Sequence, residues 1–195
     1  MIRIARHTAL PLGIAFAAAL SVTAYAGPLL DAARSAEEKA TSGDAVGAYA
    51  SMREALSDFA EKLPLTIAKA EFVDGVPTAY GIYKPRAKPA FKTGEPLITY
   101  VEPLGLTWKP TGDGKMQTNF TVDFELMDKK GDVLAAQKSF GNFSFVGFTR
   151  NQEIFTHLTL DITGAEPGDY VLRYTLNDTG SNRSVKTEQP FTLNR

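Results

Sequence analysis

The apolar residues of this chain change their spacing at Pro64, and that change sets what it can fold into. Upstream, Leu29, Ala33, Ala36 and Ala40 recur at helical intervals, and Thr41-Ser42-Gly43-Asp44 supplies a stop followed by a fresh N-cap. A second helix then carries Tyr49, Met52, Leu56 and Phe59 on one face and Arg53, Glu54, Ser57 and Asp58 on the other, until Pro64 closes it. This pattern predicts an antiparallel helical hairpin over residues 28–62 that packs its Ala-rich face on the adjoining domain.

Downstream the period is two. Leu65–Ile67, Tyr80–Ile82, Leu97–Val101 and the alternating Phe120, Val122, Phe124 and Leu126 read as strands. Asp128-Lys129-Lys130-Gly131-Asp132 joins the last of these to Val133–Ser139 as a hairpin. Ile154, Thr156, Leu158 and Leu160 alternate with Phe155, His157 and Thr159, and Tyr170–Leu176 meets Val185–Leu193 across the turn Asn177–Asn182. About seven or eight short strands, with turn clusters roughly ten residues apart and no helix between them, predict an antiparallel β-sandwich over residues 65–195. The expected fold class is therefore mainly β, a sandwich preceded by a short N-terminal α-helical hairpin.

Residues 1–26 have the form of an export signal: Arg3 and Arg6, an apolar stretch from Ala9 to Val22, and the small-residue site Ala24-Tyr25-Ala26. The stretch is shorter than the roughly 20 apolar residues that span a bilayer, and it carries Pro11 and Gly13, so cleavage before Gly27 is expected rather than anchoring. The mature protein is then not an integral membrane protein, and its compartment is periplasmic or secreted. The chain has no Cys, which rules out disulfides, thiolate metal sites and cysteine nucleophiles and leaves stability to the core alone. A periplasm accommodates such a domain more readily than a eukaryotic secretory route does. The four Asn-x-Ser/Thr triplets beginning at Asn119, Asn142, Asn177 and Asn182 are read as chance. A net charge of −1, more negative once Arg3 and Arg6 leave, gives nucleic acid nothing to bind.

Two resemblances follow from particular residues. Ala40-Thr41-Ser42-Gly43-Asp44-Ala45, with Ala48, Tyr49 and Ala55-Leu56 after it, resembles a fragment of a tetratricopeptide unit, although one helix pair does not make a solenoid. Glu166-Pro167-Gly168-Asp169-Tyr170-Val171-Leu172-Arg173-Tyr174-Thr175 resembles the turn and penultimate strand of immunoglobulin-like and fibronectin-type sandwiches in exported bacterial proteins. That resemblance implies that the Tyr170 hydroxyl folds back onto the preceding backbone. Phe91-Lys92-Thr93-Gly94-Glu95-Pro96-Leu97 resembles the loop entering an early strand of the same domains, so the likeness spans about residues 65–195. It implies a fold and carries over no functional residue.

The residues offer little chemistry. Beyond the leader the sole histidine is His157, which reads as a surface-facing strand residue, and no Gly-x-Ser-x-Gly turn supplies a nucleophile. Asp113, Asp128 and Asp132 lie in turns without the ligand spacing of a calcium loop, so no metal and no cofactor is expected. Asp123 and Glu125 alternate with Val122, Phe124 and Leu126, which places both carboxyls on one sheet face about 7 Å apart. Two such acids suffice for glycoside hydrolysis. An exposed sheet face produces the same alternation.

The segment Phe140–Arg150 holds Phe140, Phe143, Phe145 and Phe148. Facing inward, these are core; facing outward with Trp108, Tyr80 and Tyr83, they make an apolar patch in which Trp108, Phe143, Phe145, Phe148 and Arg150 bind a protein, glycan or acyl chain. The basic, Pro-rich stretch Tyr83–Phe91 reads as a solvated connector.

The expectation that follows is a non-enzymatic exported binding or assembly module of the bacterial cell envelope, with an envelope protein or a glycan as partner. The alternatives are a carbohydrate-binding or carbohydrate-active protein working through Asp123 and Glu125, and a purely structural envelope element that joins an assembly by its helical arm and edge strands.

Overall fold

The computed structural model describes residues 27–195, so the expected leader, residues 1–26, lies outside the described residues. Two helices, α1 (Pro28–Thr41) and α2 (Ala45–Lys62), come first. Pro28 opens α1, where a missing N–H leaves no bond unmade. Gly43, at φ 88°, lets the chain reverse, and Asp44 caps α2 by accepting the Gly47 N–H at 2.9 Å. α2 stops at Lys62, two residues ahead of Pro64, as a helix must before a proline.

Nine strands follow among the described residues: β1 (Thr66–Phe72), β2 (Ala90–Lys92), β3 (Leu97–Leu104), β4 (Lys109–Pro110), β5 (Met116–Asp128), β6 (Val133–Gly147), β7 (Thr156–Leu160), β8 (Gly168–Asp178) and β9 (Arg183–Asn194). They form a three-stranded antiparallel sheet, β1-β3-β7, and a larger sheet in the order β2-β9-β8-β5-β6 with β4 beside the start of β5. Side chains of both sheets meet in one apolar cluster. Phe72, Leu97, Val101 and Leu158 come from the smaller sheet and Phe120, Val122, Leu172, Leu176 and Phe191 from the larger. Alternation produces this directly: in β7, Thr156, Leu158 and Leu160 are buried while His157 and Thr159 are exposed. The protein is thus mainly β with two helices on its N-terminal side.

Three features depart from the expected antiparallel plan. β2 pairs with β9 in parallel, Phe91 opposite Leu193. Burial drives that pairing, because the Phe91 ring packs edge-on against Phe72 at 5.1 Å and Phe191 at 5.9 Å. The connector before β2 is accordingly stapled: Arg86 lies 4.0 Å over the Phe91 ring, donates to the Ala90 carbonyl, and pairs with Asp74 at 3.1 Å and Glu95 at 2.7 Å. The expected strand at Tyr80–Ile82 is instead a turn through Gly81 (φ 68°), closed by an isolated Ala79–Ile82 bridge. Finally, Val133–Ser139 and the aromatic segment form one long strand, β6. It is bulged at Ser139 (φ 49°), where Lys138, Ser139 and Phe140 face Asp123 alone.

Candidate functional site

The helical hairpin meets the β body through a narrow polar seam. Arg150, in the loop between β6 and β7, is 13% exposed and reaches three acids of α2: Glu61 at 2.9 Å, Asp58 at 2.6 Å and Glu54. These acids lie at i, i+4 and i+7, so one helix stripe presents them all to one guanidinium. The fully buried Ser57, on the same side, donates to the Arg150 carbonyl at 3.0 Å. Glu61 also accepts the Trp108 N–H at 3.2 Å. Where α2 leaves, Arg183 donates to the Leu63 carbonyl at 3.1 Å and the Gly105 carbonyl at 2.7 Å. Gly105 stands at φ 79°, and a Cβ there would lie 2.7 Å from the Pro64 carbonyl oxygen, so the chains touch backbone to backbone.

This seam differs from the expected contact, in which an Ala-rich face of the hairpin packs on the adjoining domain. The acid stripe, with the buried Ser57 and Ala60 beside it, turns toward the β body, and the small apolar residues Ala36 and Ala48 are buried within the hairpin. The face carrying Tyr49, Met52, Leu56 and Phe59 therefore looks outward. Tyr49 is 69% exposed and Leu56 51%, and Val46, Leu29 and Leu30 are exposed as well. A cleft of about 890 Å³ runs between the two helices, lined by Ala32, Ala50 and Ala55 together with the charged Lys39, Glu54 and Asp58; it meets the apolar stripe at Phe59, beside Leu29. A contiguous apolar stripe of this kind on a water-exposed helix pair marks a contact surface.

The aromatic surface predicted from the sequence does not assemble. Trp108 is buried, Phe143 and Phe145 stack on Phe120 at 5.1 and 6.0 Å, and Phe140 packs edge-on against Phe124. Phe148 alone of the four phenylalanines stands out, with the Lys115 ammonium 5.6 Å from its ring centroid. The reason is register: Phe143 and Phe145 lie opposite Phe120 and Thr118, on the inward side of β5. Arg150 is fully engaged by α2, as described above, so the five residues singled out for binding do not form one site.

The paired carboxylates are engaged as well. Asp123, 8% exposed, accepts the Ser139 N–H at 2.8 Å, the Lys138 ammonium at 3.0 Å and the Asn177 amide at 3.2 Å, which anchors the β6 bulge. Burial pushes its pKa up, but these three hydrogen bonds outweigh burial and hold the carboxyl below the usual range. Glu125 pairs with Arg173 at 2.8 Å. A carboxyl held down in this way is ill suited to donate a proton, and neither acid lines the interhelical cleft. His157 is exposed, and among the described residues no three His, Cys, Asp or Glu side chains are placed to hold a metal ion. The free edge of β6 is broken by the Ser139 bulge and by a second register shift between Val133 and Ala135, which blunts it for strand addition.

No protein-family profile matches the chain, and no curated protein matches it. Among solved structures it is similar to a family 123 glycoside hydrolase from Clostridium perfringens, with a TM-score of 0.39 and 10% identity, covering 68% of this chain and 28% of that one. It is also similar to the alkylpurine DNA glycosylase AlkC of Pseudomonas fluorescens bound to DNA containing an abasic site analog, with a TM-score of 0.34 and 13% identity, covering 74% and 34%. The chain spans about a third of the length of these proteins or less. Likeness at this level carries no functional argument. Among the described residues, no helix is long and apolar enough to cross a membrane.

Proposed function

We propose that this protein is a non-enzymatic binding or assembly module of the bacterial cell envelope, exported by residues 1–26, whose contact surface is the outward apolar face of the helical hairpin. The observation that carries the reading is the inversion of α2, which spends its polar side on Arg150 and leaves Tyr49, Met52, Leu56 and Phe59 in water. A helix that packed only for its own fold would do the opposite. The β body acts as the rigid mount, and we read it as an immunoglobulin-like sandwich. Supporting that reading, the Tyr170 hydroxyl donates to the Glu166 carbonyl at 2.6 Å, and the two sheets share one core.

Site-specific photo-crosslinking in the envelope tests the proposal. A probe at Leu56 yields discrete adducts, whereas one at the exposed Lys186 of β9 yields none. Equal labelling from both positions, or none from Leu56, removes the hairpin as the contact surface.

A further inference from the structure

We infer that the occupant of the hairpin face is a second copy of this chain, joined as an antiparallel four-helix bundle. The inference rests on the reading of that face as a contact surface and adds the identity of the partner.

The spacing of the stripe supports it. Tyr49, Met52, Leu56 and Phe59 are separated by three, four and three residues, the a/d repeat of a coiled-coil seam. That series reads the same in both directions. When α2 is laid antiparallel on itself about a twofold axis level with Glu54, Tyr49 meets the partner's Phe59 and Met52 meets the partner's Leu56. Large residue meets large residue in every layer, which is the self-complementarity an isologous interface requires. Leu29, on α1, borders the cleft together with Phe59, so α1 extends the seam at each end and the two hairpins close on one core.

Charge and area agree. Glu54 is level with the axis along α2 but lies on the opposite face of the helix, where it pairs with Arg150, so no carboxylate of the seam stripe faces its own copy across the axis. The exposed fractions of Leu29, Tyr49, Met52, Leu56 and Phe59 run from 40% to 69%. At about 200 Å² per large side chain, Tyr49, Met52, Leu56 and Phe59 with Leu29 offer on the order of 500 Å² of apolar surface per copy, about 1,000 Å² over the pair, the lower bound of a specific interface. A membrane surface fits less well. Residues 28–62 carry seven acidic against four basic side chains, the wrong sign for anionic lipid.

Light scattering on the full chain, with a cysteine test of register, decides it. The expected result is a dimer mass at micromolar concentration, with Leu56→Glu raising the dimer dissociation constant about tenfold or more while the far-ultraviolet spectrum stays unchanged. Tyr49→Lys, at the most exposed position of the four, repeats the test should Leu56→Glu fold poorly. Because the chain has no Cys, an oxidised mixture of Met52→Cys and Leu56→Cys chains should give disulfide-linked dimer where each variant alone gives little. Equal crosslinking by Met52→Cys alone overturns the antiparallel register. A monomer at every concentration overturns self-association; if the Leu56 probe then captures a different protein, the contact-surface reading survives, and if it captures nothing both fall. Sedimentation of the chain with phosphatidylglycerol vesicles, abolished by Leu56→Glu, also overturns self-association in favour of a lipid surface.

Discussion

The β body and the helical hairpin follow opposite rules. In the body, alternation puts Phe120, Val122, Leu172 and Leu176 inside, and the carboxylates it buries, Asp123 and Asp178, are hydrogen-bonded there. In the hairpin, the acids Glu54, Asp58 and Glu61 turn toward the body and the aromatic and aliphatic side chains turn to water. The body therefore buries most of its large apolar side chains, with Ile82, Leu134 and Phe148 among those left in water, whereas the hairpin turns a whole helix stripe of them outward. One cation makes the difference. Arg150 is mostly withdrawn from water and needs carboxylates, and α2 supplies three on a single stripe. Once that stripe is committed to the seam, the opposite face of the helix has nowhere to go but outward.

Substitutions in the two regions should separate them sharply. The largest effect belongs to the body: Phe120→Ala removes a ring that is 1% exposed and stacked on Phe143 and Phe145, and should lower unfolding stability in denaturant by about 3–5 kcal/mol.

Next comes Asp178, whose buried carboxylate accepts from the Thr107 and Gly180 N–H groups, the Thr107 and Ser181 hydroxyls, and Arg183. Burial raises its pKa, but the hydrogen bonds outweigh burial, so the folded value lies below the ordinary one. Its contribution is therefore complete above the unfolded carboxyl's pKa of about 3.9, and it is lost as pH falls through the lower folded value. Asp178→Asn should cost about 2–3 kcal/mol at neutral pH and flatten the acid limb of the stability curve.

A smaller and local effect is expected at the seam. Arg150→Met should cost about 1–2 kcal/mol, discounted because Glu54 and Asp58 stand largely in water. Hydrogen exchange should quicken across α1 and α2 and stay unchanged in β8 and β9. The smallest is Leu56→Glu, within about 0.5 kcal/mol for the isolated chain, because its side chain leaves no core. A loss there as large as that at Phe120 would abolish the contrast.

The sequence was most legible where local chemistry decides structure. The Gly43-Asp44 junction, the stop before Pro64, the Asp128–Gly131 turn and the Tyr170 hydroxyl bond all follow from residues within four positions of one another. Long-range pairing was hidden. The parallel β2–β9 contact joins Phe91 to a strand about a hundred residues later, with no turn signal between them. The aromatic segment was ambiguous because four phenylalanines fit a patch or a core equally well, and only the register of β6 on β5 settles the matter. The packing of α2 was misjudged: an Ala-rich face was expected against the β body, whereas Ser57 and the acid stripe meet it. The signal that could have corrected it was present: Glu54, Asp58 and Glu61 in one row, with a cation required to face them.

Hydroxyl-radical footprinting of the native chain at high dilution tests the inversion most directly, since it reads side-chain exposure without substitution. Tyr49, Met52, Leu56 and Phe59 should label heavily while Phe72, Trp108 and Phe120 stay protected. Protection of Tyr49 and Met52 at the same level as Phe120 would place that face against the β body and contradict the account.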